Sequence, residues 1–308
     1  MTDVTTPAGE PVDLHCHSTA SDGSMPPPEV VRLAAASGLS ALALTDHDTV
    51  AGVAEGSREA DALGIDFLAG IELSCTFPRP GAMHLLGYGI DPTHPKLLEL
   101  IEEQLAGRQL RNRIIVERLN RIGLDLSWQE VLDEAGASVG RPHLAALLVR
   151  KGHAVSSRQA FELYLGGGGA AYVDTNQLTA ERAIRVVREA GGVTSLAHPL
   201  SLRRQTPQQL EALVSELAQQ GLDAVETIHS GHDPDTVARL TRLADRLELL
   251  TTGGSDFHGA SKPGIKLGKP AGREVPRGIY EAVVARVASR RDSGRRGRRP
   301  STLSTSTA

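Results

Sequence analysis

Seven short apolar segments, each carrying a histidine or a carboxylate, alternate with helical stretches along most of this chain. That pattern leaves few folds open. The first segment, "VDLHCHSTASD", alternates Val12, Leu14 and Cys16 with Asp13, His15 and His17, and Asp22 follows. A period of two reads as a β-strand with its polar residues on one face and Cys16 on the other. "LALTDHD" then brings Asp46, His47 and Asp48, "GIELS" brings Glu72, and "MHLLGYGI" brings His84. Later, "GVTSLAHP" ends in His198, "LDAVETIHSGH" in Glu226, His229 and His232, and "LELLTTGGSDFHG" in Asp256 and His258. Helical stretches separate most of them. "PPPEVVRLAAASG", for example, has Pro in its first turn and Gly at its end. Alternating β and α with apolar strands predicts a parallel sheet, open or closed into a barrel. In such folds the chemistry gathers at the carboxyl ends of the strands.

The rhythm breaks once. Residues 96–169 read as helix after helix, from "PKLLELIEEQLAGRQLRNRIIVERLNRIG" to "SSRQAFELYLG", and a Gly-rich link leads back to the βα pattern. The expected organisation is therefore a barrel over 12–95 and 170–288 with a helical insertion at 96–169. Residues 1–11 and 289–308 are expected to be disordered. The last 20 residues hold six arginines and one aspartate, or +5, so the rest of the chain carries −9 of the net −4. A tail this polar does not fold by itself, and its charge suits RNA or another anionic surface as readily as plain solvation.

Composition removes several classes. Of 308 residues 40% are hydrophobic, enough for a core, but only 3% are aromatic, which leaves little for stacking a long single strand. No apolar run approaches ~18 residues, so no membrane span is expected. The N-terminus lacks the charged and apolar regions of a secretory signal. Two cysteines, Cys16 and Cys75, suit a reducing cytoplasm better than a disulfide framework. No obligate protein partner is evident.

A lone histidine at a strand end is usually a hydrogen-bonded core residue. Here eight of the eleven histidines fall at such ends, together with several carboxylates. Burying so many ionisable groups together is very costly unless cations compensate them. The pattern therefore predicts a site for more than one divalent metal. Imidazole and carboxylate donors without thiolate suit Mn, Fe or Zn, and Mn is the expected ion.

The motifs "DLHCHSTASDG", "LALTDHDT", "GIELS", "HLLGYGID", "AHP" and "GSDFHG", in this order, resemble the PHP (polymerase and histidinol phosphatase) superfamily. They are most similar to its stand-alone phosphoesterases with a helical insertion. The resemblance spans roughly residues 12–285 and implies an α/β fold, a distorted (β/α)7 barrel of the PHP type. It places one metal on His15, His17, Glu72 and Asp256, and a second on Asp22, His47 and His258. A third would lie on His84 and His198, with Glu72 bridging. Asp22, His47, Asp256 and His258 thereby become catalytic through the metals, and His232 is assigned to the departing alkoxide. In the insertion, the resemblance implies that Arg108, Arg111, Arg141 and His143 hold a substrate phosphate.

The implied activity is hydrolysis of the 3′-phosphate ester of a 5′-phosphorylated nucleotide by metal-activated hydroxide. Three alternatives stay open: a 5′→3′ exoribonuclease on short RNA, a histidinol-phosphate phosphatase and a non-catalytic metal-binding module.

Overall fold

The computed structural model describes residues 10–78, 82–135, 139–173, 178–203 and 206–296. All seven expected strands form: β1 (Val12–Cys16), β2 (Ala41–Leu44), β3 (Asp66–Cys75), β4 (Met83–Tyr88), β5 (Val193–Leu196), β6 (Ala224–Ile228) and β7 (Leu250–Gly253). They make one sheet in sequence order. The sheet curls until its ends meet. The Asp256 amide donates to the His15 carbonyl (2.8 Å) and the His17 amide to the Phe257 carbonyl (2.9 Å). The outcome is a distorted seven-stranded α/β barrel.

The expectation of a wholly parallel sheet needs correcting. β4 runs antiparallel to both β3 and β5. Among the described residues no helix separates β3 from β4, and only seven residues join them, so β4 returns antiparallel instead of crossing over. This reversal explains a histidine at the start of a strand. The first residues of β4 lie at the same barrel end as the last residues of β3, with His84 paired to Ser74. β3 is also longer than its neighbour. β2 pairs only with Asp66–Ala69, and the rest of β3 runs on past the end of β2 to carry Glu72 into the site.

Helices α1 (Pro27–Ala36), α2 (Val53–Leu63), α7 (Ala180–Glu189), α8 (Pro207–Gln219) and α9 (Pro234–Arg246) surround the barrel. Side-chain caps begin three of them. Thr179, Thr206 and Asp233 accept the backbone N–H three residues on, as their residue types favour.

Between β4 and β5 lie α3 (Pro95–Arg121), α4 (Trp128–Ala135), α5 (Arg141–Arg150), α6 (Ser157–Ala160) and a π-turn over Phe161–Leu165. They build a cap with its own apolar cluster around Ile115, Leu119, Val131, Leu144 and Leu148. α3 belongs to both units. Its first turns place Leu97, Leu100 and Ile101 in the barrel core, and its later turns serve the cap.

The C-terminal expectation is also corrected in part. Residues 289–296, assigned to a disordered tail, continue α10 (Arg277–Arg296). Val283 and Val287 are buried against the barrel. Arg290 pairs through both terminal nitrogens with the buried Asp223 (2.5 and 2.9 Å), and Arg291 donates to the Gly89 carbonyl. Docked arginines, not composition, decide the state of this segment. Residues 1–9 and 297–308 lie outside the described residues.

The barrel closure leaves no space at Gly254. A β-carbon there would collide with the amide and Cβ of His15. Gly254→Ala should therefore push β1 from β7 and cost about 1–3 kcal/mol, the usual range for overpacking a filled interior. Chemical denaturation of the metal-free protein should show a lower midpoint with an unchanged slope.

Candidate metal centre

Each strand delivers its polar residue to one end of the barrel. His15 and His17 stand on and just after β1, both fully buried, while Cys16 between them packs in the core beneath α1. His47 follows β2, Glu72 extends from β3, and His84 opens β4. His198 follows β5, and Asp256 and His258 follow β7.

The loop after β1 is folded by Asp46, which accepts from the Ser18 amide (2.8 Å), the Ser18 hydroxyl (2.7 Å) and the Ser21 hydroxyl (2.6 Å). That loop carries Asp22. Asp13 accepts from the amides of His15, Ser255 and Gly268 and so fixes β1 against the β7 loop.

Glu72 is the hub. Its Oε1 lies 2.9 Å from His84 Nδ1 and 2.9 Å from His198 Nε2. Its Oε2 lies 3.2 Å from His17 Nε2, 3.2 Å from His47 Nδ1 and 3.3 Å from His15 Nε2. Asp256 Oδ1 faces His15 and His17 at 3.6 and 3.4 Å, and Asp22 Oδ1 faces His258 Nε2 at 3.2 Å.

Four sets of ligand atoms each fall within 4.8 Å of one another: His17–Asp22–His47–His258, His15–His17–Asp256, His15–Glu72–His198 and His47–Glu72–His84. All nine ligand candidates from the sequence enter at least one set. The groupings share His15, His17, His47 and Glu72, so the sets form one continuous cluster.

The backbone is forced to reach this arrangement. Asp48, His198 and Asp256 have φ of 51°, 26° and 58°, a region that residues with a Cβ seldom occupy. All three follow directly on strand ends. Each is held by hydrogen bonds: the Asp48 carboxylate accepts from the Ser74 amide and hydroxyl, the His198 amide donates to Glu226 Oε2 (2.6 Å), and the Asp256 amide donates to His15. Strain of this kind gathers at functional sites.

The residues fit divalent ions. His17 Nδ1 and Nε2, His47 Nδ1 and His258 Nε2 are buried and make no hydrogen bond, although carboxylate oxygens lie 3.2–3.7 Å away. Ring nitrogens that face carboxylate oxygens across 3.2–3.7 Å, without a hydrogen bond between them, suit an ion held between the two.

Outer partners fix the tautomers. His15 Nδ1 meets Glu226 Oε1 (2.8 Å), and His258 Nδ1 meets the Asp256 carbonyl (2.9 Å). His198 Nδ1 meets Ser201 Oγ, whose own hydrogen goes to the Ala82 carbonyl. Each of these Nδ1 atoms donates, so once the ring is neutral Nε2 is the lone pair that faces the centre.

Electrostatics agree. Burial alone would raise Glu72, but His47, His15 and His84 hold it well below the ordinary carboxylate range. Burial would likewise raise Asp22, which His47, His258 and His17 hold well down. Burial would lower His17, yet Asp256 and Glu72 push it up to about 9. Burial and the neighbouring His17 and His84 hold His47 well below its usual value despite Glu72 and Asp22. Without metal, the carboxylates are neutralised by protons on some of the imidazoles, and metal binding displaces those protons.

Of the four cap residues, Arg108 and His143 lie near the cluster, and Arg111 and Arg141 contact other residues of the cap. Arg108 Nη2 is ion-paired with Asp48 Oδ2. His143 is influenced by both Asp22 and Arg108, and its Nδ1 accepts from the Gly140 amide (2.9 Å), so its Nε2 carries the hydrogen. Arg141 opens α5 and reaches the Leu165 carbonyl, and the Arg111 Nε lies 3.4 Å from Asn112 Oδ1.

His232 lies at the opposite edge, almost fully buried. Its Nδ1 donates to the Thr227 carbonyl (2.9 Å), and burial lowers its pKa. The neutral ring therefore presents an acceptor at Nε2, so in this state it can receive a proton but has none to give a departing alkoxide.

The sequence shows Glu226, His229 and Asp46 at strand ends and Asp13 within the first strand, and assigns none of them a role. Glu226 and Asp13 carried a usable signal, since a carboxylate on an apolar strand needs a buried partner.

Comparison with known proteins adds the following. The PHP domain family profile matches residues 13–157. A 5′-3′ exoribonuclease of Haemophilus influenzae is 37% identical over 246 residues, covering 80% of this chain and 89% of that protein. A 3′,5′-nucleoside bisphosphate phosphatase of Chromobacterium violaceum is 32% identical, covering 90% and 97%. The crystal structure of a metal-dependent phosphoesterase from Bifidobacterium adolescentis superposes with a TM-score of 0.81 at 30% identity, covering 91% and 98%.

Two outcomes are expected. Metal affinity of the stripped protein should rise with pH toward about 9, because His17 must lose its proton before it can ligate; calorimetric titration with Mn²⁺ reads this, and a flat profile contradicts it. Glu226→Gln should weaken metal binding about tenfold to a hundredfold, the usual effect of removing a ligand's orienting carboxylate, with folding retained.

Proposed function

The chain belongs to the PHP domain family and is a metal-dependent phosphoester hydrolase, and from that premise we propose that it removes the 3′-phosphate of a 5′-phosphorylated nucleotide. A 3′,5′-nucleoside bisphosphate would become a 5′-mononucleotide and phosphate. The observation that carries this reading is the contact of Arg108 with Asp48, one residue beyond His47. A cation of the cap thereby stands beside the cluster, and a second phosphate on a small nucleotide would give it a partner.

His15, His17, Glu72 and Asp256 would hold one ion and Asp22, His47 and His258 a second; His84 and His198, with Glu72, would hold a third. Mn is the proposed ion, with Fe or Zn compatible with the same donors. Bound there, the ions supply Lewis acidity toward the phosphoryl oxygens and acidify a water molecule.

The chain supplies the rest. Arg108, Arg111 and Arg141 offer planar guanidinium groups to the 5′-phosphate, which carries no reacting bond. His143 Nε2–H adds a donor on the same side. Binding energy from that remote group orients the 3′-ester over the cluster. Asp48 keeps Arg108 extended toward the site before substrate arrives. Full burial of His15, His17 and Glu72 keeps bulk solvent from the inner ligands.

A second reading uses the same atoms. If the 3′-phosphate continues into RNA, the same attack releases a 5′-mononucleotide from the 5′ end. The 37% identity to the exoribonuclease favours it, as does open space beside Asp256 on the side away from Arg108.

A side-by-side turnover assay with Mn²⁺ tests both readings on a 3′,5′-bisphosphate nucleotide, a 5′-phosphorylated oligoribonucleotide and histidinol phosphate. The bisphosphate should be turned over fastest. Chelation should abolish the activity, and Mn²⁺ should restore it. Preference for histidinol phosphate would refute the nucleotide assignment.

Arg111→Ala should cost about tenfold to a hundredfold in kcat/KM on the bisphosphate, as for a hydrogen bond to a charged group. It should cost little on a 3′-monophosphate lacking the 5′ group. Equal losses on both would remove Arg111 from 5′-phosphate binding.

A further inference from the structure

The ring of His229 is wired the other way round from those of His15, His198 and His258. The rings of His15, His198 and His258 donate from Nδ1 to outer acceptors and turn a lone pair inward. At His229 the Gly231 amide donates to Nδ1 (2.9 Å). An atom that accepts a hydrogen bond carries no proton, so the hydrogen of the neutral ring sits on Nε2. That Nε2 is buried and has no hydrogen-bond partner among the described residues. It lies 3.5 Å from Asp256 Oδ2, too far for a good hydrogen bond, and Lys262 Nζ donates to the same oxygen at 2.7 Å. The ring is also held in place, with centroids 5.5 Å from His198 and 5.1 Å from His232.

A buried donor without a close acceptor is costly and calls for an explanation. The hydrogen excludes Nε2 as a metal ligand in this tautomer. The His229 ring is part of the wall of a cavity of about 330 Å³, lined also by His198, Leu200, Ser201, His232 and Asp256 and so contiguous with the metal cluster.

We propose that His229 contacts substrate: its Nε2–H donates to an oxygen of the reacting phosphate, on the side of the cluster away from Arg108, and holds that oxygen in both the ester and the inorganic phosphate product. The ligand is a tetrahedral phosphate whose oxygens are not all taken by cations. This rests on the phosphoesterase reading and adds to it a neutral hydrogen-bond donor that is independent of the metals.

The test measures binding of inorganic phosphate to full-length, Mn²⁺-loaded protein by calorimetry, together with metal content by elemental analysis. The proteins are the wild type, His229→Ala and His229→Gln. Glutamine keeps an N–H near the position of Nε2 and lacks the imidazole. His229→Ala should keep its metal and bind phosphate about tenfold or more weakly, the usual loss for a hydrogen bond to a charged acceptor. His229→Gln should recover most of that loss.

Unchanged phosphate binding in His229→Ala with metal retained overturns the proposal. So does loss of metal from His229→Ala at saturating Mn²⁺, which would make His229 a ligand. Phosphate binding is read without turnover. A wild-type protein that binds phosphate through His229 but hydrolyses no nucleotide would therefore sink the substrate reading and leave this one standing.

Discussion

A single carboxylate with no solvent exposure faces five imidazoles, and the architecture serves that contact. Glu72 cannot be satisfied by water, and an unpaired carboxylate in such a place would neutralise or unfold the site. The solution is geometric. β3 is the longest strand and runs beyond β2, and β4 folds straight back along it, so that Glu72 and His84 meet at the same end of the barrel. Barrel closure between β1 and β7 then brings His15 and His17 to the other face of the same carboxylate. An open sheet of the same strands would leave Glu72 with ligands from one side only.

The cluster is also specified from outside. Burial removes the rotational freedom of the rings, but which nitrogen turns inward is decided by outer acceptors: Glu226 for His15, Ser201 for His198, and the Asp256 carbonyl for His258. Glu226 does two tasks at once. One oxygen orients His15, and the other accepts the amide of His198, whose φ of 26° needs such an anchor. Backbone strain at Asp48, His198 and Asp256 is therefore tied to ligand placement, and each of these residues is locked by a partner on a different strand.

Most of this was legible in the sequence, for one reason. Strand ends in α/β barrels are where polar residues can be gathered without disrupting a core, so a histidine or carboxylate closing an apolar run points to the site. His15, His17, His47, Glu72, His198, Asp256 and His258 all obey that rule. Three features escaped it. The antiparallel β4 was hidden because period and apolarity do not encode direction; only the missing helix between Cys75 and Met83 does. The extension of α10 through Arg290 was hidden because composition sees a basic tail, whereas the buried Asp223 that receives the guanidinium lies 67 residues away in the chain. The tautomers were hidden because they depend on a backbone amide or carbonyl that no side-chain pattern reveals; His229 and His232 sit three residues apart and present opposite faces.

The cap and the cluster are joined by more than proximity. α3 begins in the barrel core with Leu97 and Leu100 and ends in the cap core with Ile115 and Leu119, so the arginines on its middle turns have a rigid base at both ends. Arg108 meets Asp48, whose carboxylate also binds the extension of β3 through Ser74, two residues past Glu72. On the proposed reading, a phosphate arriving at Arg108 would compete with Asp48 for the same guanidinium. If it drew the arginine away, Asp48 would keep its bonds to Ser74, and the strand that carries Glu72 would not be released. Recognition of a remote phosphate would then proceed without loosening the proposed metal ligands. A small enzyme needs this arrangement when substrate selection and chemistry meet at one end of one barrel.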